Sequence, residues 1–152
     1  MIFRSILILA WAFALAAAFA GGSPAAERRE AAAGPVPAAV RKVVDGDTLV
    51  VRARIWLGQT VETKVRIAGI DAPERRARCG RERDLARRAT ARLRALLAGG
   101  GAVLRDIRHG KYAGRVLARV ETPAGVDVGA ALIGEGLARP YRGRRRRGWC
   151  GR

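Results

Sequence analysis

Val40-Arg41-Lys42-Val43-Val44-Asp45-Gly46-Asp47-Thr48-Leu49-Val50-Val51-Arg52-Ala53-Arg54 holds two runs rich in β-branched residues, separated by an acid-glycine-acid turn. Val40 to Val44 reads as a strand ending at Asp45-Gly46-Asp47, with Thr48 to Arg54 as the return strand. Gly46 suits a turn with positive φ that would let both acids face one pocket. C-terminal to this hairpin, Gly58-Gln59 makes a second turn, and Val61, Thr63, Val65 and Ile67 alternate with Glu62, Lys64 and Arg66. Period-two alternation of this kind marks a half-buried strand, so three strands follow one another as a meander.

Beyond Pro73 the period changes. Leu85, Ala86, Ala89, Leu93, Leu96 and Leu97 lie three or four apart among arginines, which predicts an amphipathic helix over 81–98. Gly99-Gly100-Gly101 ends it by permitting a left-handed cap. Strands are predicted at Ala102 to Ile107 and Arg115 to Glu121, and Asp127 can cap a short helix from Val128 to Gly134. The fold class is therefore α+β, mainly β. A helix after the third of five strands suits a Greek-key barrel of the oligonucleotide-binding type.

The N-terminal segment reads differently. Met1 to Arg4 is a short charged start, and Ser5 to Ala20 is an uncharged apolar run closing on Ala18-Phe19-Ala20. This pattern predicts a signal peptide over residues 1–20, cleaved after Ala20, with an uncleaved membrane anchor as the alternative. Residues 21–38 are rich in Ala, Gly and Pro and lack bulky apolar groups, which predicts a disordered linker. The folded domain is then 39–152, in an exported protein that is periplasmic or secreted.

The chain has 152 residues, and its 30 Lys and Arg against 13 Asp and Glu give a formal charge of +17. A field of that sign attracts polyanions, although an arginine-rich coding bias would produce the same balance. Cys79 and Cys150 are the two cysteines. In an exported protein such a pair reads as a disulfide fastening the tail near the helix start, the alternative being two unrelated thiols.

The chemistry sits in three segments. Asp45 and Asp47 flank Gly46 at a strand end. In Arg66-Ile67-Ala68-Gly69-Ile70-Asp71-Ala72-Pro73-Glu74, Gly69 can host a bulge that resets side-chain parity, and Pro73 fixes a turn gathering Asp71, the Ala72 carbonyl and Glu74. Lys111-Tyr112-Ala113-Gly114-Arg115 adds two cations and an aromatic ring near a strand start. Carboxylates with a backbone carbonyl are ligands for a hard cation, and arginine grips phosphate with its planar fork. Metal-assisted cleavage of a nucleic-acid phosphodiester is the chemistry that uses both.

Asp-Gly-Asp-Thr, then Arg followed five residues later by Asp-x-Pro-Glu, then Lys-Tyr-x-Gly-Arg, resembles the staphylococcal nuclease (thermonuclease) family over roughly 40–141. The resemblance implies a five-stranded barrel of the oligonucleotide-binding type and Ca2+-dependent hydrolysis of DNA and RNA to 3′-phosphates. It makes Asp47, Asp71 and the Ala72 carbonyl direct Ca2+ ligands, with Asp45 an acid behind them. Glu74 would position or deprotonate water, and Arg66 and Arg115 would bind phosphate and stabilise the transition state. Lys111 and Tyr112 would hold a neighbouring phosphate, and Tyr141 would stack beside the scissile nucleotide. DNA and RNA are the partners implied, with a monomer and no obligate protein partner.

The chain departs from the family pattern at Ala72, in a short loop after Glu74, in one extra residue after Tyr112, and in lacking a long C-terminal helix. His109, the one histidine, reads as a solvated loop residue, and Arg144 to Arg147 as a basic tail on the active-site side. Two other functions compete: a non-catalytic nucleic-acid-binding module of this fold, and a cationic binder of anionic envelope polymers. The second gives the acidic residues nothing to do.

Overall fold

The computed structural model describes residues 31–150; the expected signal peptide and the linker up to residue 30 lie outside them. In chain order the elements are β1 (Ala31–Ala32), β2 (Val36–Val43), β3 (Thr48–Trp56), β4 (Gln59–Ile67), β5 (Ile70–Asp71), α1 (Gly80–Leu96), β6 (Gly101–His109), β7 (Arg115–Glu121), α2 (Val128–Gly134) and β8 (Arg139–Pro140).

β2, β3 and β4 form the expected antiparallel meander, with Val51 opposite Val40 and Thr63, and Arg66 opposite Thr48. β7 then lies parallel to β4, with Val65 beside Val116, and antiparallel to β6, whose other edge pairs with β2. These pairings close five strands into a barrel, so the sheet consumes its own edges. Inward positions of β2 add the buried Ala38 and Val43, and those of β3, β4, β6 and β7 fill the interior, where Leu49, Val51, Val65, Ile67, Leu104 and Val120 are essentially inaccessible to water. Each such side chain contributes about 1.5–3 kcal/mol through burial.

α1 buries Ala86, Ala89, Thr90 and Leu93. The small residues let the helix approach closely, and Leu93 and Leu97 extend into the barrel core. Its end matches the expected glycine stop, but one glycine does the capping: Gly100 has φ +73° and donates to the Leu97 carbonyl at 2.9 Å, while Gly101 already begins β6. α2 is capped as expected, with Asp127 accepting from the Ala130 amide at 2.9 Å.

Three features differ from the sequence expectation. The first barrel strand starts at Val36 rather than Val40, and Val36 to Ala39 pair with Leu104 to Gly101. Ala31 and Ala32 pair with Arg108 and Ile107. The linker expected over 21–38 therefore gives way to sheet at its C-terminal end: small residues suffice where the neighbouring strand supplies backbone partners. Finally, β5 and β8 make a separate two-stranded sheet in which Asp71 faces Arg139. That small sheet brings the C-terminal segment against the acidic loop.

Candidate active site

The turn between β2 and β3 is closed by the Val44 and Asp45 amides donating to the Thr48 carbonyl at 2.9 and 3.3 Å. Gly46 is not at positive φ, contrary to expectation. Its role is steric: a Cβ there would lie 2.8 Å from the Ala89 Cβ and 2.9 Å from that of Ala72. The turn is thus wedged between helix α1 and the acidic loop. Asp45 accepts from the Asp47 amide at 3.1 Å, which shapes the turn from within.

Asp47 is only 3 % exposed. Its Oδ1 accepts from Thr48 Oγ1 at 2.9 Å and from Arg66 Nη1 at 2.8 Å, and its Oδ2 accepts from the Ala72 amide at 3.2 Å. Burial nevertheless dominates and pushes its carboxyl up to about 6; Arg66 opposes the rise, Asp45 adds to it, and the hydrogen bonds from Thr48 and Ala72 resist it. A carboxylate that stays short of positive charge beside an arginine suits a further cation.

Asp71 reaches the same place by the expected change of parity. β4 ends at Ile67, Ala68 and Gly69 turn with φ +79° at the glycine, and β5 delivers Asp71 at 4 % exposure. Asp71 Oδ1 lies 3.8 Å from Arg66 Nη2, so Arg66 spans both buried acids. The loop that follows is held by the Glu74 amide donating to Glu82 Oε1 at 3.2 Å and by Arg75 donating to the Val44 carbonyl at 3.1 Å.

A second arginine completes the cluster. Arg146 hydrogen-bonds through Nε to Asp71 Oδ1, through Nη1 to Glu74 Oε1, and through Nη2 to the Ala72 carbonyl at 3.2 Å. Of the acceptors expected around a metal, Asp71 and the Ala72 carbonyl are therefore gathered around a guanidinium, together with Glu74, the group expected to act on water, while Asp47 is held by Arg66 instead. Asp47, Asp71 and Glu74 do not by themselves draw into one tight knot. Among the described residues, the group of three acidic or thiol ligand atoms lying within 4.8 Å of one another is Cys79, Glu82 and Cys150, and its two sulfurs are bonded to each other. The donor set fits a hard cation all the same: two buried carboxylates, a rim carboxylate and a carbonyl already attract positive charge.

The residues expected to bind phosphate lie on the adjoining surface. Register places Arg115 beside Lys64 and Leu117 beside Arg66, so Arg115 and Arg66 share the outer face of the β4–β7 pair. The Arg115 guanidinium lies over the Tyr112 ring at 5.0 Å, with Lys111 at 5.7 Å, and its Nε is buried with no hydrogen-bond partner among the described residues. A cleft of about 1040 Å³ is lined by Arg66, Arg108, His109, Lys111, Tyr141 and Arg142, among others. His109 ends strand β6 on the wall of this cleft rather than sitting in a loop. The Tyr141 amide donates to the Gly69 carbonyl at 2.8 Å, which holds its backbone beside the turn that leads to Asp71.

Cys79 and Cys150 form the expected disulfide, across 71 positions of sequence. Cys79 is the N-cap residue of α1, so the bond pins the tail at the helix start. Trp149 is buried under the Arg139 guanidinium, 3.7 Å from its ring centre, and Arg139 donates to the Gly148 carbonyl at 3.2 Å. Sequence reasoning missed Arg146, Arg139 and Glu82. For Arg146 the usable signal was Cys150, four residues on, whose bond returns the tail to the acidic loop. Glu82 carried no signal beyond its place in the first turn of α1.

The family model for staphylococcal nuclease homologues matches residues 64–148, more than half of the chain. The chain belongs to that family. No curated protein matches the chain. Membership in the staphylococcal nuclease homologues brings a nuclease or nucleic-acid-binding role, with nucleic acid as the substrate class and a general reliance on metal. The match begins at Lys64, so Asp45 and Asp47 lie N-terminal to it; the folded meander brings Asp47 to Arg66.

Proposed function

We propose that this staphylococcal nuclease homologue is a Ca2+-dependent nuclease that hydrolyses phosphodiester bonds of DNA and RNA and leaves 3′-phosphates. The observation that carries the reading is the pair of buried carboxylates, Asp47 and Asp71, spanned by Arg66 at the edge of a basic cleft. Asp47, Asp71 and the Ala72 carbonyl would hold Ca2+, with Asp45 bracing the Asp47 turn. When bound, the cation supplies Lewis-acid polarisation of a phosphoryl oxygen.

The chain's own groups account for the rest. Glu74, on the rim, would accept a proton from the attacking water. Arg66 and Arg115, on one face of the barrel, would grip the scissile phosphate and stabilise the charge that develops on it. Lys111 and Tyr112 would hold the neighbouring phosphate, and Tyr141 would stack on the nucleotide at the other end of the cleft. Export is part of the proposal, with residues 1–20 as a signal peptide and the disulfide suited to an oxidising compartment. The domain would act as a monomer.

A non-catalytic nucleic-acid-binding module is the second reading, favoured by Arg146 lying on Asp71 and Glu74. Purified mature protein assayed on single-stranded DNA and RNA separates the two. Cleavage with Ca2+ that stops on chelation is the expected result. Activity that survives full chelation, or that appears only with Zn2+, overturns the assignment.

A further inference from the structure

The contact between Arg146 and the acidic loop has no part in the chemistry just described. Its guanidinium offers three donors to Asp71, Glu74 and the Ala72 carbonyl, all groups assigned above to the metal ion or the attacking water. A planar, permanently charged fork is a good counter-ion for converging carboxylates. It is also tethered. Arg146 stands four residues before Cys150, and Cys150 is bonded to Cys79, five residues beyond Glu74. On its other side, β8 pairs Arg139 with Asp71, and the segment from Gly148 to Trp149 is clasped by Arg139. The arginine therefore hangs on a short loop anchored at both ends beside the acids, an arrangement that gives it a high effective concentration there.

We propose that Arg146 is a built-in competitor of the divalent cation: it holds the metal-free site together and must swing out before Ca2+ can bind. The inference rests on the Ca2+ reading above. The tail need not detach for this. Cys150, Trp149 and β8 remain in place while the loop between them moves the side chain. Once displaced, the guanidinium stays on the same short tether next to the cleft. Metal affinity is thereby set by the contest between a free dication and a tethered monocation for one set of oxygens. A tail lacking the arginine, or freed by reduction of the disulfide, would bind Ca2+ more tightly.

The test is calorimetric Ca2+ titration of chelator-treated protein, comparing wild type with Arg146→Gln, Arg146→Lys and Arg144→Gln. Arg144→Gln removes the same charge from the same tail. Arg146→Gln is expected to tighten Ca2+ binding about tenfold or more, and Arg144→Gln by less than about twofold. Arg146→Lys keeps the charge without the fork and should fall between. The metal-free melting temperature gives an independent readout: Arg146→Gln should lower it more than Arg144→Gln, because it takes a charged partner from the buried Asp71 carboxylate. Equal Ca2+ affinity in wild type and Arg146→Gln overturns the competitor, and so does an equal shift from Arg144→Gln, which would reduce the effect to bulk charge. If Arg146→Gln fails to fold, Arg146→Lys carries the comparison, and an unchanged affinity there overturns it as well. No Ca2+ uptake by wild type and variants alike refutes the cation site itself and leaves the metal-free melting difference to judge the arginine.

Discussion

Acidifying the metal-free protein from about pH 7 to about pH 4 should strengthen Asp47's contribution to stability, against the usual behaviour of a paired carboxylate. Burial raises the Asp47 carboxyl from an ordinary 3.8 to about 6 in the folded chain. Between those two values the folded state holds a proton that the unfolded state has released. Stability therefore falls as pH rises through that window, and is regained as pH drops back. The difference corresponds to about 3 kcal/mol, since each tenfold change in proton affinity is worth roughly 1.4 kcal/mol. Other carboxylates pull the opposite way; Glu121, for example, is lowered by its hydrogen bond to Arg105. The assay must therefore isolate Asp47. Urea denaturation across this range should be run on wild type and on Asp47→Asn, which keeps an acceptor but cannot titrate. The difference between the two curves should change by about 2 kcal/mol between about pH 7 and about pH 4, approaching the full value only below about pH 3, with wild type relatively more stable at low pH. Parallel curves would refute the claim that burial outweighs Arg66 at this carboxylate. Ca2+ binding should weaken below about pH 6, since the cation must then displace a proton from Asp47.

Arg66→Ala, Glu74→Ala and Arg115→Ala should each reduce nuclease turnover by about two orders of magnitude or more. Circular dichroism and melting should change least for Arg115 and Glu74, and near-full activity in Arg115→Ala would show that another cation grips the phosphate. Gly46→Ala should destabilise by about 1–3 kcal/mol through overpacking, because its Cβ would meet those of Ala89 and Ala72; thermal unfolding measures it. Reducing the Cys79–Cys150 bond should cost up to about 4 kcal/mol, and the intact mass of exported protein after alkylation without reductant reports whether the thiols are paired.

The sequence displayed most clearly what depends on neighbours along the chain. Thr63 to Ile67 alternates because this half of β4 has a wet face and a dry face, although Val61, in the same pattern, stays exposed; Leu93 and Leu97 lie one turn apart because both meet the barrel. Asp127 announced its helix by side-chain chemistry that acts over three residues. What was illegible depends on partners distant in sequence. β5 and β8 are two residues each, too short for any periodic signal, and exist because Ile70 and Pro140 meet. Val36 to Ala38 looked like linker, since Pro and Ala carry little apolar surface, yet β6 gives their backbone a ladder. The acids of the candidate site were recognisable from their motifs, but the arginine lying on them was one of four in a row. Nothing in Arg144 to Arg147 distinguishes Arg146 until the disulfide fixes where the tail returns.

The β5–β8 pairing has a consequence for biosynthesis. Domains emerge from the ribosome N-terminus first, and the hairpin bearing Asp47 is complete long before residue 139 exists. β4 still awaits β7 for its second edge, and β5 awaits β8. Until the last part of the chain arrives, Asp71 has no strand to pair with and the cleft lacks the wall that Tyr141, Arg142 and Gly143 supply. A half-made polypeptide is thus a meander with acids at its ends and no assembled centre. The proposed nuclease site is completed by the last part of the chain to be made.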